Sequence, residues 1–132
     1  MTNLTVLYAT DEPTSRLHAT RIARDWEVFH PTSINEALAM TVYYAPHAVV
    51  IDGDSDWLNE LALNLTSMTG PSARLKDIVV RLSDVPLDLE IPDYIDFHEL
   101  PAQTSAEELA SVLHELNMQR ERSGWLDRSL AV

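Results

Sequence analysis

A doubly wound α/β domain on a five-stranded parallel sheet is the fold this sequence predicts, and three observations predict it. The apolar runs Thr5-Val6-Leu7-Tyr8-Ala9, Ala48-Val49-Val50-Ile51 and Ile78-Val79-Val80 lack polar alternation, as strands buried on both faces do. Between them, apolar residues recur at helical spacing. The first two runs end on acids, Asp11-Glu12 and Asp52. Carboxylates are thereby gathered at one rim of the sheet, where open α/β folds keep their sites.

The elements follow in order. Strand one covers residues 4 to 9, and Asp11-Glu12-Pro13 leads into a helix with stripe Ala19, Ile22, Ala23 and Trp26, Pro13 suiting a first helical turn. Val28-Phe29-His30 is a short second strand. Ser33 and Glu36 form a capping box, opening a helix with stripe Ile34, Ala37, Leu38 and Val42 that Pro46 ends. After strand three comes a helix on Leu58, Leu61, Ala62, Leu65 and Met68, stopped by Gly70-Pro71 before the fourth strand. From Ser83 to Pro92 two prolines leave no room for a normal helix. A last strand alternates Ile95 and Phe97 with Asp96 and His98, as an edge strand does. Thr104 and Glu107 cap a final helix with stripe Leu109, Val112, Leu113 and Leu116. Apolar periodicity is lost after Gln119, so residues 1–119 read as the domain and 120–132 as a C-terminal tail or linker. Right-handed crossovers fold this order into a flavodoxin-like sheet, 2-1-3-4-5, with its fourth helix missing. Strands one and three become neighbours, and Asp11 comes beside Asp52.

With 132 residues and 45% apolar content, the chain has material for one domain with a proper core. There is no cysteine, hence no disulfide framework, thiolate metal site or cysteine nucleophile. No apolar stretch reaches the roughly 20 residues of a membrane helix, and Met1-Thr2-Asn3-Leu4 lacks the parts of a signal peptide. The expectation is a cytoplasmic protein. A net charge of −12 argues against direct nucleic-acid binding, which needs clustered Lys and Arg.

The segment Val6-Leu7-Tyr8-Ala9-Thr10-Asp11-Glu12-Pro13 resembles the opening of a response-regulator receiver domain. Val49-Val50-Ile51-Asp52 is similar to that family's third strand with its phosphoacceptor aspartate, and Val79-Val80-Arg81-Leu82-Ser83 to its fourth strand ending in a hydroxyl residue. The resemblance spans roughly residues 4 to 118. It implies a non-enzymatic signalling module of a two-component phosphorelay with a histidine kinase or phosphotransfer protein as partner, and with an effector domain or protein downstream. Carried over by position, Asp52 accepts the phosphoryl group and Ser83 is the hydroxyl switch. Asp11, Asp52 and the backbone carbonyl of Asp54 hold Mg²⁺. Glu12 is a secondary metal candidate, because a first-turn glutamate is also favoured by the helix dipole. Phosphoryl transfer to a carboxylate asks mostly for positioning and charge neutralisation, which a hard cation on oxygen ligands provides.

The sequence also departs from that family. Thr10 stands where the first acid of the pair is expected, and Leu100-Pro101 where a lysine-proline pair is expected; the chain's one lysine is Lys76. Arg81, on the same side of its strand as Ser83 by period-2 alternation, is a substitute cation. Phe97 matches the switch aromatic but reads most simply as core. These departures keep a second reading open: a pseudo-receiver that binds partners without being phosphorylated.

Other readings are weaker. An EF-hand loop starting at Asp52 would want glycine at Trp57 and glutamate at Leu63. A small phosphohydrolase using Asp52 and Asp54 resembles the haloacid-dehalogenase pattern, but that motif usually opens its domain. The histidines, His18, His30, His47, His98 and His114, show no metal-ligand spacing. Glu107-Glu108 with Arg120 and Arg122 reads as a solvated helix face, and a homodimer through that helix stays open.

Overall fold

The computed structural model describes residues 4–11, 26–67, 77–91 and 95–130. In chain order they form β1 (Leu4–Thr10), β2 (Trp26–Phe29), α1 (Ile34–Tyr44), β3 (Ala48–Asp52), α2 (Asp56–Ser67), β4 (Asp77–Leu82), β5 (Ile95–Leu100) and α3 (Ala106–Leu130). The strands make one parallel sheet in the order β2-β1-β3-β4-β5, as predicted. The first predicted helix, Met68, Gly70-Pro71, Glu12 and Lys76 lie outside the described residues. Among the described residues, no helix is long and apolar enough to cross a membrane.

Strand alternation divides the core in two. Val6, Tyr8, Ala48, Val50, Ile78, Val80 and Leu82 meet Leu109, Leu113 and Leu116 of α3 on one face. Leu7, Ala9, Val49, Ile51 and Val79 meet Ala37 of α1 and Leu58, Leu61, Ala62 and Leu65 of α2 on the other. The central strands are therefore apolar at every position because each face has its own helical cover.

Five local expectations change. Trp26, expected on a helix, is the first residue of β2, where it pairs with Leu4 and is buried on the α3 face. A bulky aromatic suits a strand at least as well as a helix stripe. Val42, expected to be buried, is 70% exposed. At 100° per residue it has turned about 80° from Ile34, out of the contact face. The capping box is half formed: Ser33 Oγ accepts from Glu36 N at 3.2 Å, while the Glu36 carboxylate takes the Thr32 hydroxyl at 3.0 Å. The cap of α3 is Ser105, which accepts from Glu108 N, and not Thr104, whose buried hydroxyl donates to Pro101 O at 2.7 Å. The α3 backbone stays helical through Arg120 to Leu130, so the loss of apolar periodicity after Gln119 does not end the helix.

No helix forms in residues 83–91. Ser83 N donates to Leu100 O at 3.0 Å and Ala102 N to Asp84 Oδ1 at 3.1 Å, which ties the start of the segment to the C-terminal end of β5. Leu87 and Leu89 lie half-buried against the α2 face of the sheet, together with Phe97. An irregular connection thus supplies the apolar cover that a helix would otherwise give.

Helix α1 stops at Ala45, whose φ of 42° is left-handed, just before Pro46. A side chain there is strained by about 1 kcal/mol. Ala45→Gly is therefore expected to raise stability by roughly 0.5–1 kcal/mol, read as a higher urea midpoint at unchanged slope.

Candidate functional site

Register assembles the rim. Thr10 of β1 pairs with Asp52 of β3, and Asp52 pairs with Leu82 of β4, so Asp11, Gly53 and Ser83 are the next residues beyond three adjoining strand ends. Gly53 makes the turn out of β3. Its φ is 130°, its N–H donates to Leu82 O at 3.1 Å, and a Cβ built on it would stand 3.0 Å from Leu58 Cδ1 and 3.4 Å from Asp11 Oδ1. The Asp11 carboxylate therefore lies against the residue that follows Asp52. Asp11 and Asp54 are exposed, and Asp52 and Ser83 half-buried.

Tyr8 lies beneath Asp52. It pairs with Val50 two residues earlier on the same face, and its phenol reaches along the strand to donate to Asp52 Oδ2 at 2.6 Å. That is the length of a bond to an ionised acceptor. Tyr8 is completely buried, its ring tilted against His30 with centroids 6.2 Å apart. Burial, then the bond to Asp52 and the charge of that carboxylate, hold the phenol far above its ordinary ionisation range. It remains a donor. The sequence carried one signal of this, a tyrosine in a run otherwise free of hydrogen-bonding side chains after Thr5, because a buried hydroxyl needs a partner.

Arg81 does not serve as a cation at the rim. It is completely buried on the α2 face, where Nη1 donates to Val85 O at 2.7 Å and to Glu99 Oε2 at 3.2 Å, and Nη2 to Asn59 Oδ1 at 3.3 Å. In the sheet it pairs with Ile51, one position before Asp52, and so lies on the face opposite Asp52, not at the rim where it was expected to substitute for a cation. Its guanidinium clamps α2, β5 and the 83–91 segment together. Asn59 in turn donates its amide to Asp54 O at 3.0 Å, so the carbonyl expected to face a metal is joined to the same network. Leu100, at the position where a lysine was expected, packs half-buried against the α3 face. The Ser83 hydroxyl is folded into its own turn, accepting from Val85 N at 3.0 Å.

Chemically the rim offers two carboxylates, one backbone carbonyl and a hydroxyl. Among the described residues no three His, Cys, Asp or Glu side chains cluster as a metal site. The donor set still suits Mg²⁺, which prefers oxygen, keeps several waters and commonly takes only one or two carboxylates. The Asp54 carbonyl retains a second lone pair beside its bond from Asn59.

The sequence matches no protein-family model and no curated protein. Solved structures match nearly the whole chain. A CheY-like response regulator receiver domain protein from Methanospirillum hungatei JF-1 is 16% identical, with a TM-score of 0.66, over 92% of this chain and 99% of that one. The signal receiver domain of a signal transduction histidine kinase from Syntrophus aciditrophicus is 17% identical, with a TM-score of 0.64, over 89% and 92%. A response regulator receiver modulated diguanylate cyclase from Pelobacter carbinolicus is 15% identical, with a TM-score of 0.56, over 88% and 97%. The chain has the receiver-domain fold.

Gly53 is the residue on which this rim geometry is most sensitive. Gly53→Ala should lower stability by roughly 1–3 kcal/mol in urea unfolding, because the left-handed backbone is strained and Leu58 must give way.

Proposed function

We propose that the chain is the receiver domain of a two-component phosphorelay, accepting a phosphoryl group on Asp52 with Mg²⁺ and relaying the signal by protein–protein contact in the cytoplasm. The observation that carries this reading is the placement of Asp52 at the end of β3 between Asp11 and Ser83, the next residues past the ends of β1 and β4, in a receiver fold. Asp52 is the nucleophile. One of its oxygens attacks the phosphorus of a phosphohistidine on a histidine kinase or phosphotransfer protein, and the P–N bond of the donor breaks. Mg²⁺, held by Asp11, Asp52 and the Asp54 carbonyl, supplies charge neutralisation when bound. Ser83, at the end of β4, is the hydroxyl that turns from its Val85 bond toward the added group. The signal then passes to an effector domain or separate protein, with this chain acting as a module and not as an enzyme.

Leu100 and the committed guanidinium of Arg81 favour a second reading, a pseudo-receiver whose partners recognise the fold without phosphorylation. Acetyl phosphate or beryllofluoride with Mg²⁺ separates the two. The first reading predicts an adduct that peptide mass mapping places on Asp52 and that Asp52→Asn abolishes; absence of any adduct under both conditions leaves the pseudo-receiver. Steady turnover of a phosphomonoester, lost in Asp54→Asn, would instead mark a phosphohydrolase.

A further inference from the structure

Tyr8 spends its hydroxyl on the nucleophile. The contact is short, at 2.6 Å, and it comes from a side chain that is fully buried and cannot swing aside without opening the α3 face of the core. We infer that Tyr8 is a positioning residue that makes the phosphoryl mark on Asp52 short-lived, by favouring the free carboxylate over the acyl phosphate. This rests on the reading of Asp52 as phosphoacceptor.

The chemistry runs as a balance between two states of one oxygen. With Oδ2 held by Tyr8, Oδ1 is the atom left to form the bond to phosphorus. As that bond forms and the donor's bond to phosphorus breaks, the carboxylate loses its charge and Oδ2 becomes an acyl carbonyl. The phenol then bonds to a neutral acceptor, and such a bond is roughly half as strong as one to an anion. Hydrolysis reverses the gain. Water attacks phosphorus, the P–Oδ1 bond breaks, its electron pair returns to the Asp52 carboxylate, and inorganic phosphate leaves with the proton from water. Tyr8 stabilises that departing carboxylate. It therefore slows loading and speeds unloading, and the difference between charged and neutral acceptors amounts to roughly tenfold in the equilibrium.

Tyr8→Phe deletes only the hydroxyl. The native protein and the variant are labelled with radioactive acetyl phosphate and Mg²⁺, the donor is removed, and decay of the label is followed. The expected result is a longer lifetime and faster loading in Tyr8→Phe, the two changes together amounting to about tenfold. A merely structural role moves the readout the other way, since a disturbed rim loads less and holds the label no longer. Site-specific 3-fluorotyrosine at position 8, a stronger donor of nearly the same size, should shorten the lifetime, and it provides the test if Tyr8→Phe does not fold. Labelling of both proteins with equal decay overturns the role of Tyr8 while the proposed function stands. Labelling of neither overturns both. Labelling of Tyr8→Phe alone supports the inference, the native mark then being too brief to collect.

Discussion

The register of β3 between β1 and β4 governs this molecule. Five successive residues of β3 face five of β1 on one side and five of β4 on the other, so the three strands run out together at Asp52. A slip of one residue would invert every side chain of the strand. Asp52 would leave the face it shares with Tyr8, and the apolar sets that meet α3 and α2 would exchange places. The site is thus a by-product of the requirement that both faces of the sheet be apolar at once.

Two large polar side chains lie inside that sheet, on opposite faces, and each organises its side. Tyr8 joins the α3-face core to the rim through one hydrogen bond, with its aromatic body counted among the apolar contacts. Arg81 does more structural than chemical service. Burying a guanidinium costs several kcal/mol unless it is paired, and here Glu99, Asn59 and the Val85 carbonyl take up its charge and most of its donors, while Nε stays without a partner among the described residues. Because Val85 belongs to the irregular segment, the cation substitutes for helical backbone bonds in fixing Leu87 and Leu89 on the sheet.

The sequence made legible what depends on periodicity. Strand order, the buried runs and the stripes of α2 and α3 follow from patterns of two and 3.6, and the missing helix follows from Pro86 and Pro92 between Ser83 and Leu100. Residues whose role is set across the sheet were not legible. Trp26 fits a helix stripe and a strand equally well, and only pairing with Leu4 decides. Val42 is at helical spacing yet beyond the point where α1 leaves the core. Arg81 was read as a cation for the rim, but where its long side chain ended depended on Glu99 and Asn59, eighteen and twenty-two positions away. The Asp11, Asp52 and Ser83 positions were readable because strand ends converge by topology; the bond from Tyr8 was not, since it crosses between strands.

Strand β5 closes the sheet on one side, and its outer edge carries no strand partner among the described residues. Its side chains include Asp96 and His98, bonded to each other at 2.7 Å and half-exposed, and the half-exposed carboxylate of Glu99. A second copy arriving edge to edge would bring carboxylates close together along the new ladder, which disfavours strand addition there. The charged margin thus acts as a guard against open-ended strand pairing on this side of the sheet.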